Sequence, residues 1–168
     1  RERTERYRWS GEAFQLADRQ FMPSRYSYHK LIDGITAEQF GRHEEALQLY
    51  QEATDVQRKA APAEWLELER AGAFPEAVRA FAGMRRAVLL LQLGRVEEAG
   101  RWLEGSEGQF SQVPASAGGH RDRETACRAV TAHVAGQEAF MAAINAVMGY
   151  ASPRWSADNI CGALPEGE

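Results

Sequence analysis

The sequence predicts an all-α protein of stacked antiparallel helical hairpins, closed by a long C-terminal capping helix. Apolar residues recur at spacings of three and four along most of the chain, the period of a half-buried helix. Alanine, leucine, glutamate and arginine are abundant, which favours helix over sheet. Gln39-Phe40-Gly41-Arg42-His43-Glu44-Glu45-Ala46 also returns as Gln92-Leu93-Gly94-Arg95-Val96-Glu97-Glu98-Ala99, with six of eight positions identical. The 168 residues, 44% of them hydrophobic and 26% charged, suit one globular domain that buries a core without metals or disulfides.

Residues 1–24 read as an N-terminal arm with a short helix from Gly11 to Met22, where Phe14, Ala17 and Phe21 recur before Pro23-Ser24 breaks the run. Residues 25–106 read as helical hairpins. In the first, Tyr28, Leu31, Ile32 and Ile35 form one stripe, Gly41 ends the helix, and Ala46, Leu47, Leu49, Tyr50, Ala53 and Val56 form the next. Pro62 and Pro75 each stand at a first helical position, where a missing N–H is harmless. The helix after Pro62 carries Trp65, Leu66 and Leu68, and the one after Pro75 carries Val78, Phe81, Met84, Val88, Leu89 and Leu91 up to Gly94. Arg95 to Glu104 adds a short helix with Val96, Ala99 and Leu103. Residues 107–121 form a Gly/Ser-rich loop. Residues 122–149 then predict one long helix bearing Cys127, Val130, Val134, Met141, Ile144 and Met148, and residues 150–168, punctuated by Pro153 and Pro165, an irregular tail.

The repeated segment has a physical logic. A glycine permits the tight turn, a small alanine lets two helices approach, and a bulky residue four positions on fills the seam: Tyr50 after Ala46, Leu103 after Ala99 and, in a weaker copy from Gly72, Phe81 after Ala77. This pattern resembles the second half of the tetratricopeptide repeat in Gly41, Ala46, Tyr50 and Ala53, with Gly34 at the small position of the first helix. A second copy matches through Ala87, Gly94, Ala99 and Leu103. The chain departs from the family at Lys30, Ala37 and Arg58, and its glycines are 31 and 22 residues apart, so the repeats are degenerate. Tyr28 to Leu68 also resembles the three-helix microtubule-interacting-and-transport module, which would leave roughly a hundred residues outside it.

The resemblance implies a non-catalytic protein-binding module, an adaptor or an accessory scaffold subunit, whose first helices line a peptide groove. The groove positions it implies are Tyr28, Leu31, Ile35, Glu38 and Gln39, then Phe81, Met84, Val88, Leu91 and Gln92. Most are apolar, so the helix from Asp122 to Met148 is expected to cover that face. Trp9 and Trp155, with Tyr150, are the natural aromatic anchors at the two ends.

Other classes find less support. The four histidines are scattered, and His43 is replaced by Val96 in the second copy, which points to a turn residue and not a metal ligand. Glu44-Glu45 and Glu97-Glu98 are explained by the helix dipole at a first turn. There is no G-x-S-x-G elbow, Walker loop or dinucleotide motif, so no catalytic residue, metal or cofactor is assigned and the chain is not read as an enzyme. The alternative from that class is a helical ligand-binding or enzymatic domain with a buried pocket, which needs ionisable groups converging inside the helices. Net charge is −4, and Glu2 and Glu5 interleave the arginines of the N-terminal arm, so no nucleic-acid partner is expected. No apolar run exceeds six residues, Ala87 to Leu91 having five, against the roughly 20 of a membrane span. Cys127 and Cys161 lack zinc-site spacing; two free thiols are the expected state of a soluble chain placed in the cytoplasm by default, with one disulfide tying the tail to the last helix in an oxidising compartment as the alternative. The chain begins at Arg1, so any targeting signal is out of view.

Overall fold

A computed structural model describes residues 2–55, 74–104, 123–148 and 154–161. The helix expected after Pro62 and the loop 107–121 lie outside the described residues.

The chain is not all-α. It opens with an antiparallel β-hairpin, β1 (Arg3–Trp9) and β2 (Phe14–Phe21), where the sequence predicts an arm and a short helix. Tyr7, Trp9, Phe14 and Phe21 are good strand formers. Gly11, at φ +104°, supplies the turn geometry that other residues avoid. Ser10 closes the turn, its N–H donating to Ala13 O at 2.9 Å and its Oγ accepting from Ala13 N–H at 3.1 Å. The Phe14, Ala17, Phe21 spacing that suggests a helix has another origin: Ala17 is an extra residue in the ladder, because Arg6 faces Asp18 while Tyr7 faces Leu16. That bulge shifts the strand's alternation by one, and a shifted period of two mimics a period of three and four.

The first helical hairpin is α1 (Ser27–Gln39) and α2 (His43–Ala53). Its helices touch at Gly34, where a Cβ would lie 2.7 Å from the Tyr50 ring, so hydrogen at this position sets the interhelical distance. The second pairs α3 (Phe74–Gln92) with α4 (Val96–Glu104). Both turns have the same construction. Gly41 and Gly94 take φ +71° and +75°, Arg42 N–H returns to Ala37 O and Arg95 N–H to Leu90 O, each at 2.8 Å. The two copies of the repeated segment are therefore two copies of one helix-terminating turn.

α3 lies at the centre of the described structure and packs against α1, α2, α4 and the two following helices. Ala77, Val78, Phe81, Ala82, Met84 and Ala87 to Leu91 are all buried, as is Arg85, so this helix is covered over most of its surface as a central helix must be. The long C-terminal helix expected at 122–149 is two helices, α5 (Arg123–Ala135) and α6 (Glu138–Met148). The break falls at Gly136-Gln137, where Gly136 N–H bonds to His133 O at 3.1 Å. Glycine is a poor helix former, and the bend lets Val130 and Val134 of α5 and Phe140, Met141 and Ile144 of α6 enter the same core.

The cysteines, expected as free thiols, form a disulfide. Cys127 on α5 and Cys161 in the tail have Cα atoms 5.8 Å apart and are bonded. Residues 154–161, irregular in backbone, are thereby held across α3.

Candidate protein-binding surface

Of the ten groove positions, eight are buried: Tyr28, Leu31, Ile35, Glu38, Phe81, Met84, Val88 and Leu91. Gln39 and Gln92 are partly exposed. These residues come together in one place, but as core. The face is filled by α5, α6 and the tail, with Trp155 set edge-on to Phe81 at 5.3 Å and Gln92 Nε2 donating to Cys161 O at 3.2 Å.

Inside this core sits a charged knot. Glu38 on α1 accepts from Tyr50 Oη on α2 at 2.6 Å and pairs with the Arg85 guanidinium on α3. Arg85 also donates to Ile160 O at 2.7 Å and lies 4.7 Å from the Trp155 ring centroid. Burial, reinforced by the Glu38 carboxylate, raises the Tyr50 hydroxyl well above its ordinary value. Burial alone would lower the Arg85 guanidinium, but Glu38 and Tyr50 outweigh it and raise it. Each charge is thus fixed and neutralised by protein groups, so the knot locks three helices and the tail in register and is poorly suited to proton transfer.

Trp155, proposed as an end anchor, is 2% exposed. Asn145 on α6 brackets it, its Nδ2 donating to Trp155 O and its Oδ1 accepting from Trp155 N–H, both at 2.8 Å. It is an internal anchor.

Trp9 has the opposite setting. It is 55% exposed and stands across the hairpin from Phe14, which is 72% exposed, with ring centroids 5.1 Å apart. Tyr7, two residues before Trp9, lies on the same face, whereas Met22, also exposed, lies beyond the Arg3–Phe21 pair at the far end of the hairpin. The opposite end of the hairpin is fixed. Arg42, the turn arginine between α1 and α2, pairs with Asp18 and Glu45 and donates to Arg19 O at 3.1 Å. Glu5 gathers Tyr7 Oη at 2.8 Å and Arg19 Nε at 2.9 Å, and the Tyr7 hydrogen bond, with the nearby arginines, holds its carboxyl below the usual range. The equivalent arginine of the second turn, Arg95, keeps the local pair with Glu98 but reaches Glu44 of the first hairpin instead. One sequence motif thus docks a strand in one copy and a helical neighbour in the other.

A cleft of about 200 Å³ lies between β2, α1 and α2, lined by Arg19, Gln20, Phe21, Lys30, Asp33 and Arg42 among others. It is smaller than the roughly 300 Å³ at which ligand pockets begin. Its cations are also engaged: Lys30 with Glu52 at 2.6 Å, Arg19 with Glu5, and Arg42 with Asp18. Among the described residues, no group of three His, Cys, Asp or Glu side chains is arranged to hold a metal ion, and His29 is occupied with Ser24 Oγ at 2.8 Å. No helix of the described residues is long and apolar enough to cross a membrane.

Sequence reasoning missed Tyr7, Phe14 and Met22 as surface residues and Arg42 as the hairpin's tether. The signal available was Tyr7 and Trp9 in alternation, followed across Ser10-Gly11 by Phe14 and Leu16. The chain matches no known family model, no curated protein and no solved structure.

Proposed function

We propose that this chain is a non-catalytic protein-docking module in which a degenerate tetratricopeptide-like stack carries a β-hairpin to a partner, as an accessory subunit of a larger assembly. One observation carries the reading. Among the described residues the exposed large apolar side chains are Tyr7, Trp9 and Phe14, grouped toward the hairpin's turn, and Met22 at its exit, while the others are buried or half-buried. A contiguous exposed patch rich in Trp, Tyr and Phe is the composition of an interface hot spot, and a tethered hairpin presents it with little loss of conformational freedom on binding. The groove implied by the family resemblance is occupied by the chain's own tail, so docking is assigned to the hairpin and not to the groove. The Cys127–Cys161 bridge favours an oxidising compartment for this subunit.

The test is affinity purification from the native source with chemical crosslinking, comparing the wild-type chain with Trp9→Ser/Phe14→Ser. A stoichiometric partner crosslinked to residues 3–22 and lost from the double variant is the expected result. Recovery of a monomer alone, or of partners crosslinked elsewhere and retained by the variant, overturns the reading.

A further inference from the structure

The two edges of the hairpin differ. β2 lies against α1, and its Arg19 carbonyl is taken by Arg42. β1 is the outer strand: six of its seven residues are exposed, and among the described residues its backbone has no hydrogen-bond partner outside the hairpin. Outward-pointing N–H and C=O groups on such an edge form a template for another strand. The bulge falls in β2 at Ala17, so β1 itself runs unbroken from Arg3 to Trp9.

The side chains of β1 specify what a strand laid there would carry. One face carries the Arg3–Glu5 pair and, toward the turn, Tyr7 and Trp9. The other carries Thr4, Arg6 and Arg8, all exposed. Arg6 faces Asp18 across the ladder, but that carboxylate is paired with Arg42, so among the described residues no ion pair engages Arg6 or Arg8, which stand two positions apart. In a chain of net charge −4 this is a local basic strip on a free edge.

Resting on the docking reading above, we propose that β1 receives an extended segment of a partner protein as a third strand, and that this segment alternates apolar with acidic residues. Its main chain pairs with β1, its apolar side chains extend the Tyr7–Trp9 face, and its carboxylates meet Arg6 and Arg8. Register follows from the same alternation, because a slip of one residue would set carboxylates on tryptophan and apolar groups on arginine.

The probe is a display library of random peptides about twelve residues long, enough to span the strand at ~3.4 Å per residue. It is selected in parallel on the disulfide-bonded protein, on Arg6→Glu/Arg8→Glu and on Trp9→Ser. The expected pool alternates acidic and apolar residues and binds the charge-reversed protein about tenfold or more weakly. A synthetic copy is expected to protect the amides of β1 from hydrogen exchange and to lose binding when its alternate amides are N-methylated. Peptides that bind the charge-reversed protein equally, or that leave β1 amides unprotected, overturn the strand proposal. If those same peptides still need Trp9, the docking reading survives without it. An empty selection, a dimer seen in sedimentation, or binding of a single-stranded oligonucleotide in place of peptides each overturns the strand proposal. Failure of the docking reading is seen separately, as crosslinks in the purified complex that avoid residues 3–22.

Discussion

Trp9 and Trp155 are the same residue near opposite ends of one chain, yet the first is 55% exposed on the hairpin and the second 2% exposed beneath the tail. The difference lies in what the rest of the molecule offers each ring. Trp155 finds Phe81 on one side, the Arg85 guanidinium on another, and an asparagine that satisfies its backbone N–H and C=O, while the Cys127–Cys161 bridge keeps its segment from leaving. Trp9 finds Phe14 and solvent. An aromatic side chain near a terminus is thus no evidence of an interface by itself. It becomes one when the chain supplies a rigid mount and no cover.

The comparison is broken most severely at Trp155. Trp155→Ala is expected to lower stability by about 3–5 kcal/mol, since it empties a packed site and uncovers a buried guanidinium. Chemical denaturation should show the midpoint moving with little change in slope; a shift within error would mean that the tail does not close the core. Opening the disulfide comes next. For a loop with a sequence separation of 34 residues, chain entropy predicts a loss of about 4 kcal/mol on Cys127→Ser/Cys161→Ser. Unfolding with and without a dithiol reductant reads the same quantity, and identical curves would remove the strap from the account.

A smaller effect tests the knot beneath Trp155. The folded-state pKa of Tyr50 lies above that of an exposed tyrosine, so as pH rises past about 10 the unfolded chain loses its proton first. Stability conferred by the neutral hydroxyl is complete below that pH and is lost above it. Melting temperature should therefore fall on the alkaline side, and Tyr50→Phe should flatten the fall, although Tyr28, raised by burial, keeps part of it. An alkaline limb unchanged in Tyr50→Phe would show that this hydroxyl is not held neutral in the core. The smallest effect belongs to Trp9. Trp9→Ala is expected to change stability by less than about 1 kcal/mol, the scale of a cross-strand aromatic pair, while removing partner capture. A large loss of stability there would place Trp9 beside Trp155 as a structural residue and erase the contrast.

What could be read from the sequence follows from where period and burial coincide. α2 buries a single face, and α1 does so until Gly34 to Glu38 sink wholly into the core, so Leu31, Ile35, Leu47 and Tyr50 fall at helical spacing and are visible. The turns at Gly41 and Gly94 are visible because the chain repeats them. The hairpin is hidden for two reasons. Both faces of β1 are exposed, so its apolar alternation shrinks to Tyr7 and Trp9 alone, and the Ala17 bulge gives β2 a helical rhythm. The break at Gly136 is hidden because a single glycine in a periodic run stops a helix only when packing favours the bend. The buried ion pair was half visible. Arg85 stands inside an apolar run, which demands a partner, but neither spacing nor composition could say that Glu38, assigned to a groove, would be it. Of the tail, residues 154–161 are described; they form neither helix nor strand, and since irregular backbone carries no information on burial, nothing in the sequence marked Trp155 and Ile160 as core residues.

The Ile160 carbonyl that receives Arg85 lies 75 residues further along the chain, and Cys161 follows at once. During synthesis, α1, α2 and α3 leave the ribosome with a guanidinium whose last acceptor has not yet been made. The helical stack therefore waits on a segment 75 residues downstream, and a nascent chain that has not yet supplied Ile160 is expected to present Phe81, Arg85 and Val88 to the solvent, a state that proteases and chaperones recognise. In this protein the core closes only once the segment from Trp155 to Cys161 has been made.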